Sequence, residues 1–429
     1  MDYQGGSPDC QAKPHRFMGV RRTDARAHLT QARLVREQLI HLLTEAAEIE
    51  HNLLCSYLYA AFSLKRGVEE GPTPAEAAAV SGWRKSVMSV ALEEMAHLAL
   101  VNNLLVAVGG APHFNRPNLP VPPGYHPAGF TVRLTPFDAD TLEHFLYVER
   151  PAGAPIADGA KFIEPGPPRE PPPTRITPSS EDYRTIGELY EMVERELKAL
   201  LRHRGGAAFA EHSRARQLGP GIVKLPGLAL VGGLDDALRA VQVIVEQGEG
   251  ARAESANSHF ARFDAIKEEW RRLRRANPEF RPAHPAAHDP VMRVPPPGEP
   301  RIWITAPQAR ARLDLANGIY AGLLSVLYQL YEPAGEATRK ALAGCALALM
   351  SVLTELGEAL ARMPASPEHP GVNAGLSFTS PRNVGARADA GLIAERMLEL
   401  SEIHAGIAGD AANNPIPAAL DQLNRSLEG

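Results

Sequence analysis

Proline placement constrains this chain more than any other feature. Of 429 residues, 38 are proline, and 24 of those 38 fall within residues 110–180 and 278–300. Proline in a helix interior costs ~3 kcal/mol. A chain with prolines spread throughout would be all-β or loop-rich. This one has no proline in residues 29–71, 181–219 and 234–277. The pattern predicts helices joined by stiff, irregular connections.

Charged residues make up 22% and hydrophobic residues 44% of the chain, which is the balance of a globular protein. The net charge of −5 excludes a generally basic nucleic-acid or polyanion binder. The length is ample for a core without disulfides or structural zinc. The three cysteines, Cys10, Cys55 and Cys345, are too scattered for a disulfide framework or a cysteine metal site. Cys55 lies in an apolar helical pattern and reads as a buried, inert thiol. Met1 to Arg22 is polar and lacks the apolar stretch of a secretory signal. The longest apolar run, Ala341 to Leu353, is about 13 residues, against ~20 for a membrane span. The expectation is a cytoplasmic protein with no membrane and no nucleic-acid partner.

The chain then divides as follows. Residues 1–28 form a basic, irregular arm. From 31 to 66, Leu39, Leu42, Leu43, Ala46, Ile49, Leu53, Tyr57 and Ala60 follow the i, i+3, i+4 rhythm of one buried helix face. Thr73-Pro74 opens a second helix and Gly109-Gly110 closes it. The proline-rich crossover, 110–180, holds a short strand at Phe130–Leu134 and an extended loop at 151–180. A third helix runs from Ser180 to Arg204. A fourth, from Asp235, breaks at Gly248-Glu249-Gly250 and resumes at Ser258. The bundle thus spans 29–277, with Arg271 to Arg275 as a solvated helix end. A linker follows at 278–304. The C-terminal region, 305–429, holds helices at 307–331, 335–362 and 386–408, packed on the bundle. Two helix pairs with a long crossover between them form the layout of a ferritin-like four-helix bundle, mainly α, with additional C-terminal helices.

Carboxylates and histidines on the apolar faces carry the chemistry. Glu50 lies four residues after Ala46 and three before Leu53, so it points inward unless it snorkels from a helix edge. A buried carboxylate calls for a cation or a strong donor. Tyr57 lies two turns along the same face. On the second helix Glu94 and His97 share the Val90, Ala91, Leu98, Val101 face, in the Glu-x-x-His spacing of dimetal bundles. Glu93 is rotated by ~100° toward the surface. On the third helix periodicity does not choose among Glu188, Glu191 and Glu194. Glu249 continues the Val245 face, or is a helix-terminus residue. His259 heads the Phe263, Ile266, Trp270 face, as a ligand or as a core histidine.

Five stretches together resemble one family. They are Glu50 to Tyr57, Glu93 to His97 followed by Val108 to Pro112, Thr185 to Tyr190, Gln247 to Gly250, and Ser258 to Phe263. The family is the ferritin-like domain of the iminophenyl-pyruvate dimer synthase type, found in enzymes that oxidatively couple two amino-acid-derived imines in bisindole pigment biosynthesis. Leu315 to Tyr320 and Gly375 to Phe378 are also similar, so the resemblance covers roughly residues 30–400. The motif set is specific for the domain and much less so for the reaction. Those enzymes carry a large further N-terminal region that this sequence does not contain, so the resemblance is to a stand-alone form and the dimerising activity is not carried over.

The resemblance selects Glu188 and adds Glu249 and His259. The implied metal ligands are Glu50, Glu94, His97, Glu188, Glu249 and His259. Four carboxylates balance two divalent cations. Glu249 and His259 are ten residues apart, ~15 Å on a continuous helix, so the helix must bulge or loop out at 250–257, or one of the two is not a ligand. Glu and His donors suit iron first, with manganese or a mixed pair as alternatives. Tyr57, and more weakly Tyr190, would be hydrogen-bond donors beside the metal. The implied function is an O2-dependent dimetal oxidoreductase acting on a small, amino-acid-derived metabolite in secondary metabolism, by oxidative coupling or oxygenation. A homodimer is the expected assembly. The alternative is a non-catalytic metal-binding or scaffold protein of a biosynthetic assembly.

Overall fold

The computed structural model describes residues 22–164, 178, 182–248, 257–408 and 413–428, with side chains from Val35 onward. Ten α-helices occur among these residues: α1 (Arg22–Ser63), α2 (Pro74–Ala107), α3 (Ala139–Val148), α4 (Ile186–Arg204), α5 (Leu234–Gln247), α6 (His259–Ala276), α7 (Pro307–Gln329), α8 (Glu336–Leu360), α9 (Ala390–Ala408) and α10 (Ile416–Glu428). There is no β-sheet among the described residues, only isolated bridges such as Val121 with Val132. The expected strand at Phe130–Leu134 is reduced to that bridge, because the surrounding prolines leave no neighbour able to complete a ladder.

The fold is a ferritin-like helix bundle carrying further C-terminal helices. α1 packs along α2 and α4, and α5 and α6 together close the remaining side against α2 and α4. The expected break between α5 and α6 is present: α5 ends at Gln247 and α6 starts at His259. α7 to α10 pack on one another, and α8 rests on α1.

Local chemistry sets the helix ends. Thr73 caps α2 in a capping box with Glu76, and Pro74 occupies its first turn. At the other end Gly109 takes φ +88°, Gly109 N–H donates to Val106 O and Gly110 N–H to Leu105 O. That is a Schellman close, which favours glycine because a Cβ resists positive φ. α1 begins at Arg22, so part of the arm expected at 1–28 is helical. α4 starts at Ile186 rather than Ser180, because Thr185 is its cap.

Two helices lie where the sequence suggested none. α3 sits inside the crossover, in a proline-free window capped by Asp138, whose carboxylate accepts from Thr141 N–H (2.9 Å). Its His144 holds Asp158 at 2.8 Å and stacks on Phe162, which pins residues 158–162 to α3. The second is α10, after the last expected helix.

By length and composition alone α2 and α8 could each cross a membrane, but 83% and 61% of their most apolar windows are buried inside the fold. That is the behaviour of core helices.

A buried amide ties the 205–233 connection to α2. Asn103 Nδ2 donates to Leu218 O (2.7 Å) and Ala229 O (2.9 Å), and its Oδ1 accepts from Leu218 N–H (2.9 Å). Asn103→Leu keeps the branched shape with somewhat more bulk but orphans three backbone groups. It should lower stability by about 3 kcal/mol, read from urea unfolding.

Candidate metal centre

The inward face of α1 carries Glu50, and α2 carries Glu94 and His97, one turn apart. His259 is the first residue of α6, set by the Ser258 cap, whose hydroxyl accepts from Ala261 N–H (3.2 Å). Glu149 follows the last turn of α3, which packs on α6. All five side chains are at most 1% exposed. Five groups from four helices therefore converge in the dry interior of the bundle.

They form two triads, Glu50–Glu94–His97 and Glu94–Glu149–His259, each with its donor atoms within 4.8 Å of one another. Glu94 belongs to both. Its Oε2 lies 3.6 Å from His97 Nδ1, and its Oε1 lies 2.9 Å from His259 Nδ1. Glu50 Oε2 is 3.4 Å from His97 Nδ1, and Glu149 Oε1 is 3.2 Å from His259 Nδ1. The two imidazoles stack with centroids 5.6 Å apart.

Neighbouring groups hold this set in place. Tyr57 OH donates to Glu149 Oε1 at 2.5 Å, and Tyr190 OH donates to Glu50 Oε1. His97 Nε2 faces Gln247 Oε1 at 3.1 Å. His259 Nε2 lies 3.0 Å from Glu93, which Arg262 anchors in turn (2.5 Å). The far nitrogen of each histidine is thus engaged, leaving Nδ1 toward the cluster. Backbone also comes close. A Cβ at Gly248 would lie 3.3 Å from His259 Nδ1 and 3.4 Å from His97 Cε1.

The electrostatics are those of an anionic cage. Burial, followed by the charge of Glu94, pushes the Glu50 carboxyl up to about 8. Burial opposes charge on His97, but Glu50 and Glu94 outweigh it and raise that imidazole to about 10. His259 is raised well above the usual range, Glu149, Glu93 and Glu94 overcoming its burial. Burial would raise Glu94, yet the two histidines hold it below the ordinary carboxylate range. In the absence of other cations the cage is balanced by protons.

Metal ions fit this donor set. Glu50 Oε2, both oxygens of Glu94 and Glu149 Oε2 are buried and make no hydrogen bond of ordinary geometry, the first three only facing histidine Nδ1 atoms at 3.4, 3.6 and 2.9 Å. A buried acceptor without a donor is costly, and four of them facing two imidazole nitrogens make a pocket for cations. Oxygen and nitrogen donors without thiolates suit iron or manganese.

Placement differs from expectation at Glu188 and at Glu149. Glu188 is not brought to the cluster. It sits in the first turn of α4, where its carboxylate accepts from Arg184 N–H (2.7 Å) and its own N–H donates to the Thr185 hydroxyl. Thr185-x-x-Glu188 is a capping-box spelling, and the carboxylate is turned back along the chain. Glu249 lies outside the described residues. Glu149 was missed by sequence reasoning. The available signal was the proline-free window 137–150, with Asp138 as a cap ahead of Leu142, Phe145 and Leu146.

A family model described as Ferritin-like matches residues 43–268. The chain is 27% identical to the 2-imino-3-(indol-3-yl)propanoate dimerase of Chromobacterium violaceum, over 76% of this chain and 32% of that one. It is 28% identical to the dichlorochromopyrrolate synthase of Lentzea aerocolonigenes, over 80% of this chain and 36% of that one. The chain therefore spans about a third of the length of these relatives. A solved ferritin-like protein from Caulobacter vibrioides aligns with a TM-score of 0.45 at 22% identity, over 75% of this chain and 96% of that one. The family match covers more than half of the sequence, and the chain belongs to the ferritin-like family.

Proposed function

We propose that this chain is a dinuclear-metal oxidoreductase that uses O2, with iron as the metal, and acts on a small, amino-acid-derived metabolite by oxidative coupling or oxygenation. The observation that carries this reading is the pair of buried triads sharing Glu94. In it, Glu50, Glu94 and His97 hold one ion, and Glu94, Glu149 and His259 the other. Glu249 is kept as a further ligand. Bound iron supplies one-electron redox chemistry and O2 activation that no side chain here provides. The protein's part is to fix donors on rigid helices and exclude water. Tyr57 and Tyr190 orient Glu149 and Glu50 through hydrogen bonds, and Tyr57 is placed to hold a proton beside the centre. The two relatives are named for a dimerase of an indolyl imino acid and a chromopyrrolate synthase. Their chemistry makes α-imino acids the first substrates to try.

Reduced, iron-loaded protein should consume O2 in excess over bound iron when given amino-acid-derived imines. Uptake that stops at the iron equivalent would assign the chain to metal binding without turnover. Glu149→Gln should lose at least half of the bound metal, measured by elemental analysis, while Glu188→Gln keeps all of it.

A further inference from the structure

A second site lies on the other side of α1. Glu50 and Tyr57 face the metal centre, whereas His51 and Cys55 face α7 and α8. There they line a cavity of about 190 Å³ between α1, α2, α7 and α8, whose walls are almost wholly apolar side chains, most of them leucine. Leu92 and Leu347, at the cavity, are 40% and 59% exposed, so the cavity reaches the surface. Apolar cavities of ~150 Å³ stay dry and take up a benzene-sized guest. By the same measure this one holds roughly eight heavy atoms, and a longer tail can project through the opening at Leu92 and Leu347. Met88, Met95 and Met350 line it, and flexible thioethers adapt to a guest's shape.

One end of the cavity is polar and charged. Arg116 is 7% exposed and, among the described residues, has no carboxylate partner. Its Nε and Nη2 both donate to Tyr320 OH (3.2 and 3.0 Å), and Nη2 also to Phe378 O (2.6 Å). With two donors already on that oxygen, the Tyr320 proton goes to the nearer acceptor, His51 Nε2 at 2.7 Å, rather than to Cys55 Sγ at 3.8 Å. His51 is then the neutral tautomer with its hydrogen on Nδ1. That buried nitrogen makes no hydrogen bond of ordinary geometry, and the Phe114 backbone lies near it. The end of an apolar cavity therefore holds an N–H donor without a well-formed hydrogen bond, backed through Tyr320 by a buried cation with no carboxylate partner among the described residues. A buried charge without a counter-charge is strongly unfavourable.

We propose that this cavity binds a compact apolar monocarboxylate, its tail among the methionines and its carboxylate at His51, within the field of Arg116. The site is separate from the metal centre and does not depend on the oxidoreductase reading. Octanoate, octanol and octylamine have one tail and three heads, so calorimetry with the full chain isolates the head. Octanoate should bind at least about tenfold more tightly than octanol, and octylamine should not bind. In protein labelled with [13C-methyl]methionine, octanoate should shift Met88, Met95 and Met350 and leave the metal content unchanged. Arg116→Met should bring octanoate and octanol to equal affinity, and Ala346→Phe should fill the cavity and abolish binding of both. Equal binding of the acid and the alcohol by the wild-type chain, or octanoate shifts confined to other methionines, would overturn the proposal even if neither variant folds.

Discussion

Glu94→Ala should lose metal from both positions at once, whereas His97→Ala and His259→Ala should each lose one. Glu94 is the only residue common to both triads, with one oxygen toward each histidine. Removing a group that merely orients a ligand costs 10–100-fold in affinity, so removing a shared ligand should exceed about 100-fold. Elemental analysis after iron-supplemented expression measures this directly. The substitution has a second effect. In the metal-free protein Glu94 is the anion that two buried, raised histidines share. Leaving them without it should destabilise the metal-free fold by about 3 kcal/mol. Glu94→Gln preserves volume and should show the same metal loss, which separates ligation from packing. Full metal in both variants would remove Glu94 from the centre.

The second large effect is on pH dependence. At pH 7 the Glu50 carboxyl, raised to about 8, and the His97 imidazole, raised to about 10, are both mainly protonated in the metal-free protein. His259, raised well above its usual range, carries its proton too. Metal needs all three deprotonated. Loading at pH 7 should therefore release about three protons, seen as a dependence of the calorimetric heat on buffer ionisation. Glu50→Gln should remove one of them. The sign for stability follows from the same shifts. The Glu50 contribution is fully present below its ordinary 4.5 and is lost as pH rises through about 8. The His97 contribution is fully present below 6.5 and is lost as pH rises through about 10. Glu94, held low, contributes above its ordinary 4.5 and loses that only in acid. The metal-free protein should thus melt at a higher temperature at pH 6 than at pH 9. Metal, which replaces the protons, should reverse that order. A melting temperature that rises from pH 6 to pH 9 without metal would contradict the anionic-cage reading.

Much of the fold was legible because helices announce themselves locally. Proline exclusion marked where α1, α4, α5 and α6 lie, and Thr73-Pro74 and Gly109-Gly110 marked both ends of α2. The inward positions of Glu50, Glu94, His97 and His259 followed from a period of 3.6 on long apolar faces, and the structure gathers those four. Short elements were harder. α3 is ten residues inside a proline-rich stretch, too brief for its periodicity to stand out from its surroundings. Glu188 was misplaced because a family pattern outweighed a plainer local signal, the Thr185-x-x-Glu188 cap.

The sequence by itself determined which segments are helices, which faces are buried, and which carboxylates and histidines those faces carry, because each of these depends on residues within a few turns of one another. Only the tertiary structure decided that Glu149 joins the cluster. Glu149 lies past the end of its helix, where no periodicity assigns a direction, and it reaches His259 because α3 packs against α6, 110 positions further along the chain. The cavity behind α1 was equally invisible, since His51, Arg116 and Tyr320 meet only when α7 and the crossover close over that helix.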